Sequence, residues 1–326
     1  MPNSIPIAIG SFLPENTINN DYFSGFLDTS DEWITQRTGI KQRQYVTGGM
    51  KTSDMCIRAA QVALESINFD PRRIDAVIVA TSTADSLFPG CSHITQKSIN
   101  ACNAFAFDMQ VACSGFIYAI SVADQYIKTG YIKHALIIGA DSMSKILNYQ
   151  DRTTCTLFGD GAGAILLSNI DDEDQGIIST SVFSNGELSG ILSTKGGLFS
   201  EEKSYICMEG RKVFECAINY VSETIVNTFK EHNVSYDHLP WIVVHQANKR
   251  IIDAIALKTN IPKSKFLVTV DKHANTSAAS IPLALDYYIA RGDISSDNSI
   301  LTVGFGAGFT WGAVLIKNSL FGNQNS

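Results

Sequence analysis

Several protein classes are excluded by what the sequence lacks. Its seven cysteines include no Cys-x-x-Cys pair, so neither a disulfide framework nor a structural zinc site is indicated, and reduced thiols are the default. No run approaches the roughly 20 apolar residues of a membrane span. The opening Met1-Pro2-Asn3-Ser4-Ile5 carries neither the basic cluster nor the apolar stretch of a signal peptide. Positive charge is also scarce. A net charge of -7 leaves no basic surplus for nucleic acid. A cytoplasmic globular enzyme, with no nucleic-acid or membrane partner, is the expectation.

The chain is rich in buried-core material. Of its 326 residues 45% are hydrophobic and only 17% charged, enough for two halves of about 150 residues each. Short Val- and Ile-rich runs read as strands covered on both faces: Asp75-Ala-Val-Ile-Val-Ala80, Ala135-Leu-Ile-Ile-Gly139, Ala164-Ile-Leu-Leu167, Trp241-Ile-Val-Val244 and Ala313-Val-Leu-Ile316. Helical periodicity runs over Thr52 to Ile67, with Thr52, Ser53 and Asp54 as candidate caps, over Gly115 to Lys128, over Val213 to His232 and over Ser280 to Ala290. The alternation predicts an α/β protein. Gly159-Asp-Gly-Ala-Gly-Ala-Ile-Leu-Leu167 and Gly304-Phe-Gly-Ala-Gly308 with Gly312-Ala-Val-Leu-Ile316 both read as a glycine-rich turn entering a buried strand. This rhyme suggests an internal duplication, with halves at 1–170 and 175–326 joined by the acidic surface stretch Asp171-Asp-Glu-Asp174.

Four segments carry candidate chemistry. Cys113 lies in Val111-Ala-Cys-Ser-Gly115, after the apolar segment Phe105-Ala-Phe107 and before a helix. Helix amides there can lower a thiol pKa below its usual value of about 8.5. The remaining cysteines, Cys56, Cys102, Cys155, Cys207 and Cys216, read as buried structural residues; Cys91 receives no role. His245 ends an apolar strand in Val244-His-Gln-Ala-Asn248, where α/β folds bind ligands. Asn275 sits on a small-residue loop, His273-Ala-Asn-Thr-Ser-Ala-Ala-Ser280, and offers an uncharged amide donor. Gly304-Phe-Gly-Ala-Gly308 lacks the Walker lysine and the dinucleotide spacing, and reads as a candidate oxyanion hole. A Cys-His-Asn order also suits a papain-like hydrolase, but the local cysteine signature of that family is absent.

Taken with Trp33-Ile-Thr-Gln-Arg-Thr-Gly-Ile40, Phe158-Gly-Asp-Gly-Ala-Gly163 and Asn275-Thr-Ser-Ala-Ala-Ser280, these strings make the chain resemble β-ketoacyl-acyl carrier protein synthase III over nearly its whole length. The resemblance implies the thiolase-like fold, a five-layered αβαβα arrangement of two similar halves, assembled as a homodimer. It implies decarboxylative Claisen condensation of an acyl-CoA, acetyl-CoA being the expected primer, with malonyl-acyl carrier protein, and no metal or redox cofactor. Cys113, His245 and Asn275 take the catalytic positions, and the backbone amides of Cys113 and Ala307 the oxyanion hole. Trp33 and Arg152 sandwich the adenine, Arg37 and Thr38 meet the nucleotide, and Gly210, Phe214, Ala247 and Asn248 line the pantetheine tunnel. Arg250 docks the carrier protein, and Phe88 reaches across the dimer into the partner's acyl pocket. Two departures stand out. Ala307 replaces the family's middle glycine. Glu215 replaces a basic docking residue, with Arg211 and Lys212 as candidate compensation. A paralogue with another acceptor, or a non-catalytic carrier-binding subunit, are the alternatives on the same fold.

Overall fold

The structure is a computed structural model that describes residues 2–197, 200–201, 203–235 and 238–317. The chain opens with β1 (Asn3–Phe12). A small antiparallel pair, β2 (Thr17–Asn19) with β3 (Gln42–Gln44), then encloses the helices α1 (Asp21–Ser24) and α2 (Asp31–Thr38). Next come α3 (Thr52–Ser66), β4 (Ala76–Ala80), α4 (Cys91–Ser98), β5 (Phe105–Met109), α5 (Gly115–Lys128), β6 (His134–Ser142) and β7 (Asp160–Ile170). The second half runs β8 (Gly176–Ser184), the hairpin β9 (Leu192–Lys195) with β10 (Tyr205–Met208), α6 (Gly210–Glu231), β11 (Trp241–Val244), α7 (Lys249–Thr259), α8 (Val270–His273), α9 (Ser280–Ala290), β12 (Ile300–Gly306) and β13 (Thr310–Lys317).

Two mixed sheets form the frame. The first has the order β1-β7-β6-β4-β5 and the second β11-β12-β13-β8. Read from β1 and from β8, the two share strand order and direction: antiparallel, antiparallel, then parallel. A lone parallel bridge from Ile242 to Phe266 stands where β5 flanks the first sheet. Helices α5 and α9 pack between the sheets, α3 covers the outer face of the first, and α6 with α7 covers the second. This is the five-layered αβαβα arrangement. Sandwiching explains the uninterrupted apolar strands: Val77, Ile78 and Val79 are all fully buried. No helix of the described residues is long and apolar enough to cross a membrane.

The duplication is legible residue by residue, though not as the glycine-rich rhyme suggests. Gly161, Gly163, Gly304 and Gly306 lie within strands β7 and β12, not in turns. They are glycine because the central helices press on them. A Cβ on Gly163 would lie 2.6 Å from Pro282, and one on Gly304 2.8 Å from Ile117. The same offset in the chain separates Ile117 from Pro282, Gly139 from Gly304, and Ala112 from Ser277. Both Ala112 (φ 45°) and Ser277 (φ 52°) hold the left-handed conformation at the first residue of a short 3-10 turn that leads into α5 or α9. Each half therefore builds one strained elbow at the start of its central helix. The true counterpart of Gly304-Phe-Gly306 is Gly139-Ala-Asp141, and only Gly163 and Gly312, with the strands they enter, match as expected.

The cap of α3 also differs from expectation. Asp54 accepts the Lys51 N–H at 2.9 Å, whereas Thr52 donates to the Thr83 carbonyl (2.6 Å) and Ser53 to the Asp85 carboxylate (2.6 Å). The two hydroxyls tie α3 to the loop after β4 instead of closing their own helix.

Candidate active site

Cys113 sits on the elbow between β5 and α5 and is 6% exposed. The Ser114 hydroxyl bonds Thr310 (2.6 Å), and Thr310 donates to the Ala307 carbonyl (2.8 Å), so the elbow is locked to the turn after β12. Ala307 is not among the positive-φ residues, and alanine meets no backbone penalty there. Gly306 approaches the elbow so closely that a Cβ would lie 2.8 Å from the Cys113 nitrogen.

His245 directly follows β11 and is 1% exposed. Its Nδ1 is 2.6 Å from Ser280 Oγ at the start of α9, and the same oxygen accepts the Gln246 N–H at 3.3 Å. The Ser280 hydroxyl has no other acceptor among the described residues, so its proton is directed at Nδ1, which places the imidazole hydrogen on Nε2. Asn275 is fixed by an equally local device. Its Oδ1 accepts the Ser277 N–H at 2.9 Å, leaving Nδ2 as the free donor.

These three side chains line one cavity of about 90 Å3, with Phe158, Met208, Phe214 and Phe305 among its walls. Burial holds the His245 imidazolium down to about 3. Burial likewise pushes the Cys113 thiol up to about 12, opposed by a hydrogen bond with Ser277. The lowered thiol expected from the helix start is therefore not what this environment produces: desolvation outweighs the helix amides when no cation is at hand. The resting pair is a neutral thiol and a neutral imidazole.

Three further spaces adjoin. The cavity at Cys113, His245 and Asn275 opens through Leu157, Met208, Gly210, Phe214 and Asn248 into a mouth of about 440 Å3, which Trp33, Arg37, Thr38, Arg152 and Arg250 also line. On the other side of Cys113 lies a pocket of about 370 Å3 walled by Val111, Met143, Ile146, Leu192 and Ile206. Phe88, 84% exposed, belongs instead to a surface cleft with Leu87 and Phe107. That cleft shares Ser82 and Gln110 with the pocket.

The structure thus gathers every expected tunnel residue, Gly210, Phe214, Ala247 and Asn248 included, but several details differ. Arg152 lies 5.1 Å from the Trp33 ring centre and bonds Asp28, which leaves too little room for an adenine between them, since two ring contacts need about 3.5 Å each. Arg37 stacks on Trp33 as well, at 4.4 Å. Thr38 is buried, and its hydroxyl is consumed by Ile34 O (2.7 Å) and the Ile40 N–H (3.0 Å), so it forms wall and not contact. The Asn248 amide caps α7 through the Arg250 N–H (2.8 Å) and donates to Arg37 O (3.1 Å), which joins α7 to α2. Arg211 pairs with Glu215 at 2.9 Å and Lys212 with Glu209 at 2.7 Å, so neither cation compensates for Glu215. Among the other cysteines only Cys56, Cys91 and Cys155 are buried; Cys102 is exposed, and Cys207 and Cys216 are half-buried.

Sequence reading missed Ser277, Ser280 and the β9–β10 hairpin, whose Leu192 walls both cavities, with Met208 in the one at His245 and Ile206 in the pocket beyond Cys113. Both serines lie in Asn275-Thr-Ser-Ala-Ala-Ser280, where the sequence does not show which groups their hydroxyls meet. The hairpin strands are four residues each and too short for a periodicity signal.

Comparison with known proteins agrees with this geometry. Family models described as 3-oxoacyl-[acyl-carrier-protein] synthase III and its C-terminal domain match residues 107–186 and 229–318. A β-ketoacyl-[acyl-carrier-protein] synthase III of Wolbachia pipientis wMel is 48% identical, the match covering 97% of this chain and 99% of the relative. One from Ehrlichia ruminantium (strain Gardel) is 45% identical over 97% of this chain and 100% of its own length. The crystal structure of 3-oxoacyl-[acyl-carrier-protein] synthase III from Aquifex aeolicus VF5 superposes with a TM-score of 0.91 at 39% identity, covering 96% of this chain and 99% of that one. The buried cysteine, histidine and asparagine at one tunnel end, on the duplicated frame, are thus those of a member of the 3-oxoacyl-[acyl-carrier-protein] synthase III family of condensing enzymes.

Proposed function

We propose that the chain joins an acyl-CoA primer to malonyl-acyl carrier protein by decarboxylative Claisen condensation, the initiating step of fatty acid synthesis. The observation that carries this reading is the convergence of Cys113, His245 and Asn275 on one narrow cavity behind a cation-rich mouth. Cys113 Sγ attacks the primer thioester and the C–S bond to CoA breaks, the thiol proton leaving with CoA as its free thiol. The amides of Cys113 and Ala307 hold the oxyanion, a role worth about 3 kcal/mol per donor. Malonyl-carrier then enters, and His245 Nε2–H with Asn275 Nδ2–H bind its thioester oxygen. Loss of carbon dioxide places an enolate at that oxygen; its carbon attacks the acyl carbonyl, the C–S bond to Cys113 breaks to give the 3-oxoacyl product, and the leaving sulfur takes a proton from solvent to restore the thiol. Decarboxylation supplies the driving force, so these steps call for no metal or redox cofactor. The test is intact-protein mass spectrometry: incubation with acetyl-CoA should add one acetyl group at Cys113, and subsequent malonyl-carrier protein should remove it as product. Hydrolysis without condensation would sink the reading.

Arg37 and Arg152 both rest against the Trp33 ring, which gives the adenine site a first step: Arg152 swings off Trp33 and Asp28 to admit the ring. We place the division between the halves at 170–175, between β7 and β8. We also assign Phe88 to the acyl pocket of a second copy, which makes a cytoplasmic homodimer the working form. Its large exposed side chain stands beside the edge strand β5 and outside its own chain's Cys113 pocket.

Two measurements extend the reading. Because burial holds His245 down to about 3, the ring is neutral from pH 5 upward. The condensation kcat of pre-acylated enzyme should therefore show no acid limb between pH 5 and 8; an inflection near 6.5 would contradict the neutral-donor role. Stability follows the same sign: the unfolded histidine binds its proton first, so the contribution is complete above pH 6.5 and is lost as pH falls toward 3. The second concerns docking. Arg250, exposed at the mouth beside Phe214, faces the carrier protein, while Glu215 neutralises Arg211. Glu215→Lys should lower KM for malonyl-carrier protein about 3- to 10-fold at low salt, leave KM for acetyl-CoA within about twofold, and lose its advantage at high salt.

A further inference from the structure

The mechanism above makes no use of Asp141, a fully buried carboxylate at the end of β6. Its Oδ1 accepts the Ser82 N–H (2.8 Å), the Thr83 hydroxyl (2.9 Å) and the Thr81 hydroxyl (3.2 Å). Its Oδ2 accepts the Ala278 N–H at 3.3 Å, and the Ser277 hydroxyl is a further partner. All of these donors are neutral. Burial pushes the Asp141 carboxyl up and the Ser277, Ser82, Thr83 and Ala278 donors pull it back, so the ionised group depends on those donors staying in place.

The internal duplication explains the position. The offset that relates Ala112 to Ser277 and Gly139 to Gly304 also relates Asp141 to Gly306, and Cys113 to Ala278. At the first elbow the strand contributes Gly306, and a side chain there would crowd the Cys113 and Ser114 nitrogens, at 2.8 and 3.1 Å from a Cβ. The amide is thereby left open for a substrate oxygen. At the second elbow the matching position carries a carboxylate, which takes the Ala278 amide itself. One elbow keeps its amide free for a substrate oxygen; the other has its amide occupied by a built-in carboxyl oxygen.

The second elbow is also the segment that aims Asn275. It is strained at Ala274 (φ 56°) and at Ser277 (φ 52°), and such conformations persist only where neighbours over-determine them. The Ser277 N–H orients the Asn275 amide, and the carboxylate clamps the residues just after it. On the far side the same carboxylate grips Thr81–Thr83, so the clamp joins the two halves across the site.

We propose that Asp141 is a positioning residue for decarboxylation: its carboxyl group serves as a built-in acceptor at the second elbow and so fixes the Asn275 amide toward malonyl-carrier protein. The proposal rests on the condensation reading above. Asp141→Asn keeps the shape but sets an NH2 against a ring of donors. It is expected to acylate Cys113 from acetyl-CoA within about threefold of the parent rate. Condensation by the pre-acylated enzyme should fall about 30-fold or more in kcat, within the ~10²-fold that a misplacement of about 1 Å costs, with KM for malonyl-carrier protein unchanged. Thr83→Val removes one donor to the same carboxylate, and should show the same split at about 3- to 10-fold should the first variant not fold. Equal losses in both steps, or full condensation by the folded variants, would overturn the proposal. A parent enzyme that never condenses would instead overturn the underlying reading, whatever Asp141 does.

Discussion

Cys113→Ser is expected to give no acyl-enzyme with acetyl-CoA and to lose at least about 10³-fold in condensation. The size follows from the electrostatics of the site. A serine hydroxyl needs a base to become a nucleophile. The nearest imidazole is held at about 3 by burial, with its Nδ1 already engaged by Ser280, so it has almost no affinity for the proton. A thiol in the same place is disfavoured as thiolate by burial, yet sulfur remains far the better nucleophile, and the thioester it forms exchanges with CoA at nearly equal energy. The oxygen ester that Cys113→Ser would form has no such balance. The readout must be acyl transfer from the substrate rather than alkylation. Exposed Cys102 should react with iodoacetamide ahead of buried Cys113, so general thiol reactivity would rank the residues by exposure. Peptide mapping of the acetylated protein separates these cases. An acetyl group on any of the other six cysteines, surviving Cys113→Ser, would remove Cys113 from the mechanism.

The sequence and the structure part company where side chains meet across the duplicated frame. The buried strands at 76–80 and 241–244 could be read because both faces are covered, so their apolar runs are continuous. The Cys113 elbow could be placed because small residues follow a strand and precede a helix. The glycine-rich segments were visible but misread: Gly163 and Gly304 are strand residues pressed by Pro282 and Ile117, and no local pattern distinguishes that cause from a turn. The direction of the Cys113 shift was missed for a related reason. Local sequence shows the helix start that would lower the pKa but not the packing that raises it. Likewise Arg211 and Lys212 read as free cations until their partners Glu215 and Glu209 are seen one helical turn away. Asp141 was the least legible. It closes a strand as an ordinary aspartate would, and its meaning comes only from Gly306 occupying the same place in the other half.

The second large effect separates the two half-reactions. His245→Ala and Asn275→Ala should each still take an acetyl group onto Cys113, because the oxyanion of that step is held by the amides of Cys113 and Ala307, which neither side chain supplies. Condensation with malonyl-carrier protein should fall about 10²- to 10³-fold in each, the usual cost of losing one donor aimed at a developing oxyanion. In the proposed mechanism the two donors serve a single oxygen, so the double variant should lose less than the product of the single losses. His245→Ala leaves Ser280 Oγ with the Gln246 N–H but without its imidazole, and Asn275→Ala leaves the Ser277 N–H without an acceptor. The second change therefore disturbs the strained turn as well, and Asn275→Asp keeps that acceptor while removing the donor toward substrate. A variant that preserves the turn but presents a carboxylate to the enolate should be the poorest of the set, because it places negative charge against negative charge. If Asn275→Asp instead condensed as fast as the parent, the charge developing at the thioester oxygen would have to be held elsewhere, and the neutrality of His245 and Asn275 would have no catalytic meaning.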